Sequence, residues 1–320
     1  MKIHLLPDTG SFYKTNLHCH TTVSDGVMTP EEVKAFYQDL GYHAVCFTDH
    51  DRLVPHEDLC DGNFVALHGY EVGLSKIHGE PGHVRMPVYH FNLIAKDPKN
   101  RIMPTCPATG EEQYEDPKEW FEHCARYDTE WLNRYIQAAN EAGFLVNYNH
   151  PQWSLQSMED YIGLHGLFGM EIINGGCLLY NDNTSIHMEA MLRHGTDILP
   201  VAGDDNHSAL NCGNAFTMIK AEQLTYGALI HALEAGNFYV SEGPEILELS
   251  LENGRFTLRT DRPCTVVLLA ESRHIRYAEN TDRADLEFKP SSAGRYVRFE
   301  VRDAFGKKAF TRAYYTKDLI

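Results

Sequence analysis

The 320-residue sequence has no apolar run long enough to span a membrane, and residues 1–13 lack the hydrophobic stretch of a secretion signal. It also has no Cys-x-x-Cys pair, because its eight cysteines are scattered along the chain. Scattered cysteines in a chain of this length are typical of free thiols and argue against a zinc site built from cysteine. These absences predict a cytoplasmic globular protein.

Positive charge is also scarce, since 28 lysine and arginine residues stand against 45 aspartate and glutamate residues and give a formal net charge of −17. Such a charge repels a phosphate backbone, so binding to duplex nucleic acid is not expected. Hydrophobic residues make up 43% of the chain, which is enough for one large domain and a small one. Histidine is abundant, with 18 residues, and the positions of these histidines point to a site.

The first candidate ligands lie close to the start of the chain. His18 and His20 alternate along a predicted strand, so both imidazoles project from the same face. A Ser-Asp-Gly turn then adds the carboxylate of Asp25, and its glycine allows the loop to fold back towards the strand end. Two imidazoles and a carboxylate in this order predict part of a metal site.

A helix and a second strand follow this turn. A capping box with proline at the first helical position begins at Thr29, and the apolar residues keep helical spacing up to Gly41. The strand over 44–48 then leads to Asp49 and His50. Because a strand–helix–strand unit implies parallel strands, His50 should share a sheet edge with the first histidines. Asp49 alternates away from His50, which indicates a bracing carboxylate rather than a ligand.

Later predicted strands are also followed by candidate ligands. A strand over 64–72 carries Glu71 near its end, and a strand over 88–95 carries His90. Three more strands, over 144–148, 169–173 and 198–202, end in polar residues. These residues are His150 in an NHP triplet, Asn174 in an NGG triplet, and Asp205 and His207 in a GDDNH run.

Two loop histidines compete with His90. His78 and His83 lie in a loop rich in glycine and proline, which also contains Arg85. His90 is the preferred ligand because a rigid strand holds a side chain more precisely than such a loop.

An HxH pair alone is more typical of two histidines without metal, but here SDG, TDH, GxE and GxDxH follow it in order. This series resembles the polymerase-and-histidinol-phosphatase (PHP) family of metal-dependent phosphoesterases. Seven strands alternating with helices would by themselves indicate either an α/β barrel or a doubly wound sheet. The resemblance implies the former, a distorted (β/α)7 TIM-like barrel over residues 1–243.

The resemblance further implies nine ligands for two to three divalent ions, with Glu71, Asp205 and His207 as the catalytic residues. The mixed imidazole and carboxylate set suits manganese, iron or zinc better than calcium or magnesium. The implied sets are His18, His20, Glu71 and Asp205 for one ion, Asp25, His50 and His207 for a second, and Glu71, His90 and His150 for a third.

Clustered cations lower the pKa of a bridging water and neutralise phosphoryl oxygens, so the expected reaction is hydrolysis of a phosphate ester of a small molecule or nucleotide by a metal-bridging hydroxide. Arg85 and Asn174 are candidates for binding the substrate.

Amidohydrolase-type hydrolases also begin with HxH on a barrel strand, but no lysine lies at a matching strand end to bridge the metals. A non-catalytic metal-binding module is disfavoured because every ligand position is kept.

The sequence pattern changes near residue 244. Apolar and polar residues alternate over 246–251, and Asn253-Gly254 predicts a tight hairpin. Residues 244–320 are therefore expected to form a small Ig-like β-sandwich without ligands, with a structural or docking role. Because every candidate ligand precedes it, residues 1 to about 240 are expected to fold and bind metal without it.

Overall fold

The computed structural model describes residues 2–75, 87–105, 116, 118, 125–180 and 184–320. Within these ranges the chain forms sixteen β-strands and six α-helices, and none of these helices is long and apolar enough to cross a membrane. The strands are β1 Lys2–His4, β2 Ser11–Cys19, β3 Ala44–Phe47, β4 Val65–Ser75, β5 Val88–Ala95, β6 Phe144–Tyr148, β7 Gly169–Asn174, β8 Leu199–Gly203, β9 Phe216–Ala221, β10 Phe238–Ser241, β11 Ile246–Glu252, β12 Arg255–Ala270, β13 Ile275–Glu287, β14 Tyr296–Arg302, β15 Lys308–Thr311 and β16 Tyr314–Tyr315. The helices are α1 Pro30–Asp39, α2 Thr129–Glu141, α3 Met158–Tyr161, α4 Ile186–His194, α5 Tyr226–Glu234 and α6 Pro290–Ala293.

Helix α1 begins at the predicted capping box. The backbone N–H of Glu32 donates to Thr29 Oγ1 over 3.3 Å, and the backbone N–H of Thr29 donates to Glu32 Oε2 over 2.8 Å. Pro30 takes the first helical position, where its missing N–H has no consequence. The prediction of this helix start is confirmed, and the helix connects β2 to β3 as a parallel crossover.

The seven predicted strands are present as β2 to β8, but they do not all alternate with helices. β2, β3 and β4 pair in parallel, as do β6, β7 and β8, whereas β5 is antiparallel to both β4 and β6. The β4–β5 ladder runs from Gly69 opposite Ile94 to Ser75 opposite Val88, which is a hairpin register. This reversal brings the amino end of β5, with His90 opposite Gly73, to the edge where the parallel strands end.

The closed barrel expected from the resemblance is not confirmed. The described strands form one open sheet in the order β1-β11-β12-β14-β15-β10-β9-β2-β3-β4-β5-β6-β7-β8, with β13 beside β12 and β16 beside β14. The residues just after β8 nevertheless reach the end of β2, because Asp205 N–H donates to the carbonyl oxygen of His18 over 2.9 Å. Gly203 permits this approach, since a Cβ at that position would lie 2.5 Å from the Cβ of His18.

Two strands that the sequence did not predict, β9 and β10, link this sheet to the C-terminal region. β9 is antiparallel to β2 on one side and to β10 on the other. Most of its residues are buried on both faces, so they form a short apolar run without the alternation that marks a half-exposed strand.

The C-terminal strands continue the same sheet, so a separate β-sandwich is not confirmed. β15 pairs antiparallel with β10, and β1 from the start of the chain pairs with β11. Phe256 and Phe299 of the C-terminal strands also share a hydrophobic core with Tyr37 and Phe47. A boundary between residues 243 and 244 falls between two strands and stays a prediction, but this shared core argues against independent folding of residues 1–240.

A half-buried ion pair adds to this connection. Glu189 on α4 accepts hydrogen bonds from Arg298 Nε over 2.7 Å and from the Tyr296 hydroxyl over 2.8 Å, both on β14. Burial opposes ionisation of Glu189, but the Arg298 guanidinium outweighs it and lowers the pKa of that carboxyl. Removing Arg298 would leave the Glu189 charge without its main counterion.

We expect Arg298→Met to lower the free energy of unfolding by about 2 kcal/mol, because it leaves a half-buried carboxylate poorly paired. The control is Arg302→Met on the same strand, whose partner Glu300 forms an exposed pair worth less than about 1 kcal/mol. Urea unfolding followed by circular dichroism measures both. Equal losses in the free energy of unfolding for the two variants would show that the Arg298–Glu189 pair stabilises the protein no more than an exposed pair does.

Candidate metal centre

The nine residues predicted as ligands converge at one edge of the sheet. Among the described residues, four groups have one donor atom per residue, with all atoms of a group within 4.8 Å of one another. Three of them contain only predicted ligands, namely His18, His20, Glu71 and Asp205 (the first group), His20, Asp25, His50 and His207 (the second group), and Glu71, His90 and His150 (the third group), and the fourth consists of His18, His150 and Glu171. The structure thus provides a possible metal site of histidine, aspartate and glutamate, while the assignment of each ligand to an ion stays a prediction.

The first group is buried and tightly packed. His18 and His20 are fully buried on or just after β2, and their Nε2 atoms lie 3.1 Å apart. Both Nε2 atoms lie close to Glu71 Oε2, at 3.3 and 3.2 Å, and to Asp205 Oδ1, at 3.3 and 3.1 Å. Two nitrogen and two oxygen donors facing one point form the kind of set that binds a transition metal.

Glu71 joins the groups because its two carboxylate oxygens face different imidazoles. Oε2 faces the first group and also His50 Nδ1, at 3.3 Å. Oε1 faces the third group, with His90 Nδ1 at 3.0 Å and His150 Nε2 at 3.4 Å, and it also accepts a hydrogen bond from Asn149 Nδ2 over 2.7 Å. A carboxylate in this position can bridge two cations.

The second group forms the open side of the centre. Asp25 is 54% exposed, His207 42% and His50 29%, whereas the first group is buried. Asp25 Oδ2 lies 3.3 Å from His207 Nε2 and 3.7 Å from His50 Nε2. The centre is therefore exposed to solvent on this side.

Two of the candidate ligands have an unusual backbone conformation. Asp205 has a φ of 47° and His150 a φ of 23°, both in the left-handed region that residues other than glycine seldom adopt. Each is held there by a hydrogen bond from its own N–H, Asp205 to the His18 carbonyl oxygen and His150 to Glu171 Oε2. Strain of this kind is kept where surrounding contacts fix the chain, and it is common at functional sites.

The electrostatics of the centre favour cations. Burial opposes ionisation of Glu71 and Asp205, but the surrounding imidazoles outweigh it and hold the pKa of each carboxyl well below its usual range. Burial likewise disfavours charge on His20, yet Asp205 and Glu71 raise the pKa of this imidazole to about 9. His50 is less strongly paired, and burial lowers its pKa to about 4. The buried carboxylates thus remain ionised and need positive charge beside them.

Asp49 braces the turn that carries Asp25, as the sequence predicted. Its Oδ1 accepts hydrogen bonds from the backbone N–H of Thr21 over 2.7 Å and from the hydroxyl of Ser24 over 2.8 Å. The Asp25 carboxylate is therefore presented by a turn whose polar groups are already satisfied.

Asn174, a predicted substrate contact, is held by hydrogen bonds within the centre. It is fully buried, and its Nδ2 donates to Glu171 Oε2 over 2.9 Å and to Asp205 Oδ2 over 3.1 Å. Its Oδ1 accepts hydrogen bonds from the backbone N–H groups of Gly176 and Cys177. Because both ends of the amide are engaged, Asn174 braces Asp205, and its role in substrate binding stays a prediction. The other predicted substrate contact, Arg85, lies outside the described residues, as do His78 and His83.

Sequence reasoning missed Glu171, which lies on β7 between His18 and His150. Its Oε1 lies 2.8 Å from His18 Nδ1, and its side chain is fully buried. One signal could have revealed it, because a charge within the otherwise apolar run GMEII must be paired if the strand is buried on both faces.

Residues 16–149 match the family model of the PHP domain. This part of the chain is therefore similar to a PHP domain. This match covers the HxH, SDG, TDH and GxE motifs and the β2–β6 part of the sheet, and the remaining candidate ligands His150, Asp205 and His207 lie beyond it.

Solved structures that resemble this chain include PHP-like proteins. One is a two-domain protein from Bacteroides vulgatus with a predicted PHP-like metal-dependent phosphoesterase, at 17% identity over 97% of this chain and 98% of that one, with a TM-score of 0.46. Another, from Bifidobacterium adolescentis, is proposed to be a metal-dependent phosphoesterase, at 19% identity over 64% and 90% of the two chains, with a TM-score of 0.38. A third is an amidohydrolase from Chromobacterium violaceum with bound sulfate and no metal, at 17% identity over 61% and 88%, with a TM-score of 0.35. Comparison with curated proteins gives no match.

We expect His90→Ala to lose one metal ion and to reduce activity at least about tenfold, because it removes a donor beside Glu71 Oε1. The control is His187→Ala, whose ring bonds the Tyr161 hydroxyl away from the centre. Metal content of the purified variants and their turnover rates give the comparison. If His78→Ala or His83→Ala loses the ion while His90→Ala keeps it, the third group has been assigned to the wrong histidine.

Proposed function

We propose that this protein is a metal-dependent phosphoesterase that hydrolyses a phosphate ester of a small molecule or nucleotide. The observation that carries the proposal is the position of Glu71, which offers each of its oxygens to a different imidazole set. A carboxylate shared in this way is typical of hydrolases that work with adjacent metal ions. The PHP domain supports the reaction class, since the motifs that define the resemblance supply these side chains.

The donor chemistry fits two to three divalent transition-metal ions. Imidazole nitrogens and carboxylate oxygens form all three groups, and such mixed sets suit manganese, iron or zinc. The buried carboxylates Glu71 and Asp205 remain ionised, so they would offset the charge of ions placed between them. When bound, such ions activate water for attack at phosphorus and neutralise the phosphoryl oxygens.

The residues of the centre have distinct roles in this proposal. Glu71 would hold ions with both of its oxygens, and Asp205 would assist it, because Asp205 Oδ1 faces His20 of the first group and Oδ2 faces His150. His207 lies at the open side, with Nδ1 3.1 Å from the backbone oxygen of Asp205 and Nε2 directed to Asp25. It is therefore the catalytic candidate nearest to an arriving substrate. Glu71, Asp205 and His207 remain the proposed catalytic residues.

A substrate panel tests the reaction class. We expect metal-loaded protein to hydrolyse phosphomonoesters or phosphodiesters, because the centre concentrates positive charge where a phosphoryl group can enter. Amide and lactone substrates are run beside them as controls. Turnover of amides or lactones alone would assign an amidohydrolase-type reaction, and no turnover of any substrate would favour a metal-binding module without catalysis.

Glu71→Gln should separate a multi-metal hydrolase from a single-metal protein. The wild type, purified without chelator, should contain close to three ions per chain, and the variant should lose at least one because an amide cannot offset the charge of two cations. We expect turnover to fall at least about 100-fold. Elemental analysis, phosphatase rate and circular dichroism measure metal, activity and folding separately.

The matched control for this variant is Glu300→Gln, a strand glutamate of β14 paired only with Arg302 among the described side-chain ion pairs. It should keep both metal and rate. If Glu71→Gln instead retains all its metal and most of its turnover, Glu71 is not needed for metal binding or catalysis, and the bridging role is wrong.

A further inference from the structure

Glu171 connects the first and third groups, although it belongs to none of the predicted ligand sets. Its carboxylate is fully buried on β7 and accepts hydrogen bonds with both oxygens. Oε1 accepts from His18 Nδ1 over 2.8 Å, and Oε2 accepts from the backbone N–H of His150 over 3.1 Å and from Asn174 Nδ2 over 2.9 Å. One side chain therefore contacts a residue of the first group and a residue of the third.

The contact with His18 decides which ring nitrogen is available. A carboxylate can only accept, so Nδ1 of His18 must carry the proton that is shared with Glu171. The opposite nitrogen, Nε2, then faces Glu71 Oε2 and Asp205 Oδ1 at 3.3 Å each, with a lone pair available for a metal ion. A carboxylate behind a ligand histidine fixes the ring orientation and also increases its basicity.

The contact with His150 acts on the backbone. The φ of 23° at His150 is unfavourable for a residue with a side chain, and the hydrogen bond from its N–H to Glu171 Oε2 holds the chain in that conformation. This conformation directs the His150 ring inward, so that Nε2 lies 3.4 Å from Glu71 Oε1. A hydrogen bond between His150 Nδ1 and the Ser154 hydroxyl, 3.0 Å long, fixes the other side of the ring.

We propose that Glu171 is a positioning residue that holds His18 and His150 in their metal-binding geometry and thereby couples the first and third groups. The inference rests on the proposed metal centre but assigns a role to a residue outside the predicted ligand sets. Among the described residues, no hydrogen bond or ion pair joins Glu171 to Asp25, His50 or His207. Asp49 braces the turn that carries Asp25, and His207 Nδ1 lies 3.1 Å from the backbone oxygen of Asp205.

Glutamine is nearly the same size as glutamate but cannot satisfy these contacts. If its amide nitrogen faces His18, the ring must accept at Nδ1, which places the proton on Nε2 and blocks the metal. If the amide nitrogen faces the other way, it meets two donors, the His150 N–H and Asn174 Nδ2. Either orientation disturbs one of the two ligand groups.

The test is metal affinity of Glu171→Gln, measured by competition with a chromogenic chelator using zinc or manganese alone. We expect two ions to bind about 10- to 100-fold more weakly than in the wild type, while the ion of the second group keeps its affinity. Asp25→Asn should give the complementary result, with one ion weakened and two retained. Urea unfolding of the metal-free proteins reports folding separately from metal.

Glu189→Gln controls for general destabilisation, because it removes the same charge from a half-buried glutamate whose contacts are Arg298, Tyr296 and Arg193. It should lower stability and leave all metal affinities unchanged. If Glu171→Gln does not fold, Glu171→Asp keeps the charge but shortens the reach, and the same two ions should be weakened.

The outcomes separate this inference from the proposed function. Wild-type affinity of all ions in Glu171→Gln, with normal metal binding by the wild type, would refute the positioning role alone. Equal weakening of all three ions would refute the coupling of two groups. A wild type that binds no metal would overturn the proposed function together with the inference.

Discussion

The structure depends on one buried carboxylate surrounded by imidazoles. Glu71 is 1% exposed, and five histidine rings approach its two oxygens at 3.0 to 3.4 Å. A charge at this depth is very costly unless it is paired, so several of the strands that end at this edge carry or precede a histidine that faces Glu71. The backbone strain at Asp205 and His150 and the glycine at position 203 are local features that make this delivery possible.

Much of this centre could be predicted because its residues follow strand ends in short motifs. A period of two places His18 and His20 on one face, and a parallel crossover brings His50 beside them, so local chemistry was enough. Helix α1 was predicted for the same reason, since its capping box and proline act within a few residues. His90 was assigned to the correct strand and lies beside Glu71, although the direction of that strand was not predicted.

The features that were missed depend on contacts between distant parts of the chain. A hydrophobic pattern identifies β5 as a strand but does not give its direction, and the hairpin with β4 appears only when both strands are paired. The pairing of β15 with β10, and of β1 with β11, joins a region that reads as a separate antiparallel unit to the rest of the sheet. Glu171 was missed because its partners, His18 and the backbone of His150, are assembled by the fold.

The position of β2 in the middle of the sheet also sets the order in which the protein can assemble during synthesis. β2 carries the first two histidines, but one neighbour, β9, is made about two hundred residues later, and Asp205 and His207 emerge only shortly before it. The partner of β1, strand β11, is synthesised later still. Strands that are far apart in sequence lose loop-closure entropy before any stabilising contact compensates for that loss, so folding should be slow. A nascent chain therefore exposes unpaired strand edges and an incomplete ligand set until most of its length has left the ribosome. Metal binding by the complete set of candidate ligands can therefore occur only late in synthesis or after it.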